Sequence, residues 1–186
     1  ENKIELKEAT EKAKTLITKS VKEQLMSDVP VGFFLSGGID SSIVVSTASA
    51  FKKPSNTYSI GFEETTQNET HYAKIVSDLF KTNHHVKTLC RSDASKMIQN
   101  MQTWYDEPFA DTSALPSYQV SLLAREKSLV VLTGDGGDEL FGGYDWYTRF
   151  NQYKRQNLSF LSFLKKPVST IRNLFSDSFT GRMAEQ

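Results

Sequence analysis

The chain contains a single cysteine, Cys90, which excludes a disulfide framework and a paired-thiol zinc motif. That usage fits a reducing compartment. It also lacks net charge: 22 basic residues balance 22 acidic ones, so bulk charge steers it toward neither nucleic acid nor an anionic membrane. No apolar run approaches the ~20 residues that a bilayer-spanning helix needs. The opening Glu-Asn-Lys-Ile-Glu lacks the pattern of a signal peptide. A cytoplasmic protein with no nucleic-acid partner and no membrane association is expected. Internal repeats and low-complexity tracts are absent. So are two phosphate-binding loops: no Lys follows the glycines as in G-x-x-x-x-G-K-[ST], and no G-x-G-x-x-G occurs.

What is present is unevenly placed. Residues 1–150 hold 16 Lys/Arg against 20 Asp/Glu, and residues 151–186 hold 6 against 2. Asp106, Glu107 and Asp111 share one loop; Asp135, Asp138, Glu139 and Asp145 share another. Local acidic loops on a neutral body point to cations bound near them.

Apolar spacing yields a coarse element order. Leu6, Ala9, Ala13, Leu16 or Ile17, Val21 and Leu25 recur at helical spacing, which predicts a first helix ending near Asp28. Residues 31–35 form an apolar run too short for a helix and read as a buried strand. A helix over 40–50, a strand over 57–62, a helix through Tyr72 and Phe80, and a strand over 84–89 follow. Residues 93–104 read as helical, Pro116 suits the first turn of another helix, and residues 129–132 read as a fourth strand. Strands alternating with helices predict an α/β fold: a parallel sheet covered by helices on both faces. In such sheets ligands sit beyond the carboxyl ends of the strands, where the winding reverses. The loops after the first and fourth strands are the two richest in Gly and Asp, and both are expected at that crevice.

The first loop reads Leu35-Ser36-Gly37-Gly38-Ile39-Asp40-Ser41-Ser42. An apolar strand feeds a turn with no bulk near its backbone, then a helix start whose free amides and dipole favour an anion. Gly37 and Gly38 let the main chain approach phosphates closely. The hydroxyls of Ser36, Ser41 and Ser42 can donate to phosphate oxygens. Asp40 would be repelled by a polyphosphate unless a divalent cation lies between them, and Mg²⁺ suits carboxylate and phosphate oxygens together. The plain alternative is an ordinary capped helix start. The second loop runs from Thr133 to Tyr144 and holds five glycines and three acids in twelve residues. Ordering the glycines costs chain entropy and the acids repel one another, so a bound cation and a closely approaching ligand would account for both.

Together, S-G-G-I-D-S-S and G-D-G-G-D-E-L-F-G-G-Y resemble the synthetase domain of glutamine-hydrolysing asparagine synthetases, of the ATP-pyrophosphatase (PP-loop) type. Tyr58-Ser59-Ile60-Gly61-Phe62, Asn68-Glu69-Thr70 through His84-His85, and Asp106-Glu107-Pro108-Phe109-Ala110-Asp111 with Ser113 match further family blocks, so the likeness covers roughly residues 5–147. The resemblance implies an adenine nucleotide α-hydrolase-like fold and the cofactors ATP and Mg²⁺. It places Leu35 and Ile60 on the adenosine, largely through their backbone. Ser36, Gly37, Gly38, Ser41 and Ser42 would hold the pyrophosphate end, with Thr133 and Gly134 against the nucleotide and Asp40 and Asp138 on Mg²⁺. Asp135 would be catalytic; it stands where the best-known members carry Glu, one methylene longer.

The implied reaction has two steps. An aspartate carboxylate attacks the α-phosphorus of ATP and expels pyrophosphate; ammonia then attacks β-aspartyl-AMP to give asparagine and AMP. Glutamine is the implied ammonia source, through an N-terminal glutaminase domain that begins with a catalytic Cys. No such residue opens this chain, so the expectation is a partial synthetase domain over 1–150, inactive by itself, with a basic amphipathic helical tail over 151–186. A homodimer is compatible with the reading. Two rivals stay open: a relative that amidates another carboxylate, as in β-lactam formation or polysaccharide and peptide tailoring, and a catalytically inactive ATP-binding module.

Four smaller expectations complete the reading. Cys90 is expected as a buried small residue closing a strand. His84 and His85 are strand neighbours pointing to opposite faces, so they do not chelate one ion together. Trp104, Tyr105, Trp146 and Tyr147 are expected to pack beneath the site. Phe160, Leu164, Val168, Ile171 and Phe175 form an apolar stripe expected to pack on further protein.

Overall fold

A computed structural model describes residues 4–51, 56–63, 68–107, 110–150 and 152–153; the tail stripe, Pro108 and Phe109 lie outside them. The chain divides into two compact units, Glu1–Asp135 and Gly136–Gln186. The first is an α/β unit. Its elements are α1 (Leu6–Gln24), β1 (Val31–Phe34), α2 (Ile39–Ser49), β2 (Asn56–Phe62), α3 (Thr70–Phe80), β3 (Asn83–Leu89), α4 (Arg91–Asn100), α5 (Ala114–Arg125) and β4 (Val130–Leu132). A 3₁₀ turn, Met101–Thr103, extends α4. The second unit carries a short helix, α6 (Gly137–Phe141).

All four strands pair in parallel, in the order β3-β2-β1-β4. The chain winds outward from β1 to β3, then returns to place β4 on the other side of β1. The winding therefore reverses between β1 and β4, the position where such sheets bind ligands.

Period-2 alternation sorts the strand residues between two helical layers. Val31, Phe33 and Leu35 point one way and pack with Leu132 against Val21 of α1, Val45 and Ala48 of α2, and Ala73 of α3. The β-branched run Ile43-Val44-Val45 has strand propensity, yet it is helical because Val44 and Val45 meet this core. On the opposite face Phe34, Tyr58, Ile60 and Phe62 line one crevice with Pro116 and Val120 of α5, and Gln119 of α5 reaches the Met97 sulfur of α4 at 3.1 Å. Helices cover both faces, as the apolar runs predict.

β3 departs from that expectation. Val86, Lys87 and Thr88 are exposed; among the described residues β3 is an edge strand, paired with β2 alone. Lys87 on that edge discourages pairing with other chains. Cys90 is not a strand residue either. It is the N-cap of α4, half-buried, with its sulfur 2.9 Å from the Ser92 hydroxyl.

His84 and His85 do face opposite layers. His85 stacks on Tyr58 with ring centroids 5.4 Å apart. His84 ends a buried polar chain: its Nδ1 lies 3.0 Å from the Thr57 hydroxyl, which lies 2.8 Å from that of Thr82, which donates to the Ser77 hydroxyl at 2.8 Å. Burial, then the charge of Lys74, hold the His84 imidazole below its ordinary pKa of 6.5. Its Nε2 is buried without a partner among the described residues, so protonation there gains no acceptor. The unfolded chain takes up this proton first, so the contribution of neutral His84 is present above about pH 6.5 and lost as pH falls below it. Thermal unfolding from pH 7.5 to 5.0 should show a shallower acid-side fall in His84→Gln than in the unmodified protein. Equal slopes would remove His84 from the account.

Candidate active site

The site is assembled where β1 and β2 end. The Leu35 amide donates to the Tyr58 carbonyl at 2.9 Å, continuing the ladder one residue past β1. The Leu35 carbonyl then accepts from the Ser59 hydroxyl rather than from β2 main chain. Beyond these ends lies a crevice of about 270 Å³ lined by apolar Phe34, Leu35, Ile60 and Val120, with Ser36 and Glu69 among its polar walls. It is apolar with a few polar groups, the usual composition of a small-molecule pocket.

The turn that follows is held by its own serines. The Ser36 amide donates to the Ser41 hydroxyl at 3.3 Å, the two hydroxyls share a hydrogen bond at 3.0 Å, and the Gly38 amide donates to the Ser36 hydroxyl at 3.1 Å. Ser41 is buried. These hydroxyls therefore shape the loop, and Ser42 joins through its amide, which donates to the Gly38 carbonyl at 3.1 Å. Gly38 is the N-cap of α2 and supplies no side-chain cap, which leaves the first-turn amides of α2 to an external acceptor. Gly37 has φ +87°, and a Cβ there would lie 2.5 Å from the Ala73 amide nitrogen and 2.7 Å from the Tyr72 carbonyl carbon. The turn is thus wedged against the start of α3.

The return from β4 closes the site. A Cβ on Gly134 would lie 2.8 Å from the Ser41 nitrogen and 2.9 Å from the Asp40 carbonyl carbon. The two glycine loops are in backbone contact at the reversal, as the sequence pattern predicts. Thr133 donates through its hydroxyl to Asp135 Oδ2 at 2.8 Å, and the Asp135 amide donates back to that hydroxyl at 3.3 Å. This brace fixes the exposed Asp135 carboxylate. Asp40, on the first turn of α2, is half-buried, and among the described residues its carboxylate has no hydrogen-bond or ion-pair partner. Leu35, Ser36, Gly37, Gly38, Asp40, Ser41, Ser42 and Ile60 thus gather at one end of the sheet with Thr133, Gly134 and Asp135.

The described residues contain no cluster of three or more His, Cys, Asp or Glu side chains able to cage a metal. Mg²⁺ ordinarily needs none: it is held by one or two carboxylates together with substrate phosphates and water. A free carboxylate beside uncapped helix amides fits that chemistry.

Before α5, Asp111 accepts from the Ser113 amide at 2.8 Å, and its bonds to Ser113 hold its carboxyl below the usual range. This stabilises the approach to α5. Trp104 stacks on Tyr118 of α5 with centroids 3.5 Å apart. In the second unit, Asp138 lies in the first turn of α6, and its carbonyl accepts from the Gly142 and Gly143 amides at 2.9 and 3.1 Å. Tyr144 donates to Glu139 at 2.5 Å. That bond lowers the Glu139 carboxyl and pushes the Tyr144 phenol up to about 12. Within this unit Trp146 stacks on Tyr147 with ring centroids 3.8 Å apart.

Sequence reasoning missed Ser59, Glu69, Thr70, Pro116, Ser117 and Val120 as walls of the crevice. The signal available for Ser59 was a hydroxyl residue inside an otherwise buried strand.

Three comparisons bear on this arrangement. The family profile described as asparagine synthase matches residues 12–184. A Methanocaldococcus jannaschii protein bearing the name asparagine synthetase [glutamine-hydrolyzing] 2 is 45% identical over 181 residues, covering 91% of this chain and 35% of its own length. Asparagine synthetase [glutamine-hydrolyzing] 1 of Bacillus subtilis is 40% identical over 131 residues, covering 70% of this chain and 21% of its own. The chain therefore spans about a third or less of the length of these curated relatives. Among solved structures, NMN synthetase from Francisella tularensis aligns with 76% of this chain and 59% of its own at a TM-score of 0.49 and 15% identity.

Proposed function

The chain belongs to the asparagine synthase family, and from that premise we propose that it is the ATP-binding part of an enzyme that amidates aspartate to asparagine. The observation that carries the reading is the backbone contact of Gly134 with Asp40 and Ser41, beside a crevice walled by Leu35, Ser36 and Ile60. One nucleotide spans these features: base and ribose in the crevice, phosphates over the first turn of α2.

In this reading Ser36, Gly37, Gly38, Ser41 and Ser42 form a rigid turn whose amides hold the pyrophosphate, and the uncapped end of α2 adds its dipole. Thr133 and Gly134 close over the α-phosphate. Asp40 and Asp138 would hold Mg²⁺, which neutralises the departing pyrophosphate; the pairing of these two rests on the family pattern. The substrate carboxylate displaces pyrophosphate from the α-phosphorus, and ammonia then displaces AMP from the acyl adenylate. Such a transfer depends on positioning and charge neutralisation more than on covalent help from the protein. Asp135, braced by Thr133, orients the incoming ammonia and accepts its proton. Ammonia would come from glutamine, through a glutaminase portion of the kind that the relatives' names imply, in the cytoplasm.

The test is AMP and pyrophosphate release by the protein carrying this chain, supplied with Mg-ATP, ammonia and a panel of carboxylates. Aspartate should be the preferred acceptor; preference for another carboxylate would move the protein to a different branch of amidation. In the same assay Asp135→Asn should lower kcat by about 10²–10⁴-fold, the usual share of a general base, while ATP binding measured by calorimetry changes little. Unchanged turnover would remove Asp135 from the chemistry.

A further inference from the structure

A parallel ladder alternates its bonds. After the Leu35 amide donates to Tyr58, the next rung would run from the Ile60 amide to the Leu35 carbonyl. Pairing of β1 with β2 stops instead at Phe34–Tyr58, and the Leu35 carbonyl is taken by the Ser59 hydroxyl. Ser59 is itself buried, so this bond is shielded from water. Tyr58 and Ile60 direct their main-chain groups toward β1, whereas Ser59 directs its own toward β3. β1 ends before it reaches Ile60. The Ile60 amide and carbonyl are therefore released at the mouth of the crevice that Leu35 and Ile60 line.

We propose that Ser59 is a positioning residue for nucleotide binding: by occupying the Leu35 carbonyl it ends the β1–β2 ladder one rung early and presents the Ile60 main chain to a purine base. An adjacent N–H donor and C=O acceptor on one strand match the ring nitrogen and exocyclic amine on the edge of adenine. Guanine, with a carbonyl and a ring N–H there, presents the opposite pattern. The inference rests on the ATP-binding reading above and adds the device that keeps its base-recognising backbone free. Without the hydroxyl, the Leu35 carbonyl would be left unpaired in a buried place. Its nearest remedy is the Ile60 amide, which would restore the rung and withdraw the donor from the ligand.

The test uses the protein carrying this chain. Ser59→Ala should raise the Kd for ATP about tenfold, the equivalent of one net hydrogen bond. It should also erase the preference for ATP over 1-deaza-ATP, which lacks the ring nitrogen that the Ile60 amide would meet, with the thermal midpoint little changed. Ser59→Thr, which keeps the hydroxyl, should restore both affinity and preference. Hydrogen exchange on the unmodified protein is an independent readout: the Ile60 amide should exchange much faster than the Leu35 amide without nucleotide and become protected with ATP. Unmodified protein that binds no ATP would overturn the functional reading itself. ATP binding by Ser59→Ala equal to the unmodified protein, or an Ile60 amide already protected without nucleotide, would overturn the role of Ser59 and leave the functional reading standing.

Discussion

Gly134→Ala should abolish useful ATP binding, raising the Kd by about a hundredfold or more, the penalty of displacing a site by about 1 Å. The added methyl carbon would meet the Ser41 nitrogen and the Asp40 carbonyl carbon at 2.8 and 2.9 Å. Both are backbone atoms at the first turn of a helix, so no rotamer change relieves the overlap. Either the loop after β4 lifts away or the start of α2 is pushed aside, and each movement separates Thr133 and Asp135 from the amides of α2. Calorimetric titration with Mg-ATP reads the loss directly. A variant that binds ATP within a few-fold of the unmodified protein would mean that the contact between the loops is not part of the nucleotide site. Stability should also fall, by about 1–3 kcal/mol as for other overpacked positions.

Gly37→Ala should be the most damaging single methyl in the fold. Two costs add there. The left-handed backbone at φ +87° costs an L-residue about 1–2 kcal/mol. The Cβ would also stand 2.5 Å from the Ala73 nitrogen, and overpacking of that kind costs about 1–3 kcal/mol more. The sum is a sizeable part of the roughly 5–15 kcal/mol that holds an average domain together, and the thermal midpoint should drop by on the order of 10 °C. Gly38→Ala is the matched control. Gly38 has φ −67°, and its nearest neighbour would be the Ser36 hydroxyl at 3.2 Å. Its thermal midpoint should stay within a few degrees, so any loss of ATP binding at Gly38 reports on the ligand rather than the fold. Equal melting of the two variants would refute the assignment of Gly37 to α3 packing.

That contrast shows where sequence reasoning reached and where it stopped. Both glycines read as room for phosphate, because a pattern of residues shows which positions lack bulk but not what occupies the space. Gly37 is bare because Tyr72 and Ala73, more than thirty residues away in sequence, press against it. The strand-loop-helix order and the meeting of the two loops were legible, since buried strands and parallel crossovers leave few arrangements. The exposure of Val86 and the half-buried place of Cys90 were not, because edge position depends on neighbours that a local window does not contain. α6 lay hidden in what read as loop; its signals were glycines at both caps, Gly136 and Gly142, each with positive φ. The crevice walls from α5 were invisible for a similar reason. Pro116 and Val120 come to line the same crevice as Ile60 only through tertiary packing.

The pairing of Val31 with Val130 has a consequence for how the protein comes into being on the ribosome. Nearly a hundred residues separate the partners, so closing that loop carries a large entropic cost that must be met before the contact returns any energy. The β1–β2–β3 part can collapse while synthesis continues, but its central strand then waits with one side bare, a condition that invites aggregation. On the proposed reading, competence to hold nucleotide would wait for β4, which supplies the loop that meets the start of α2.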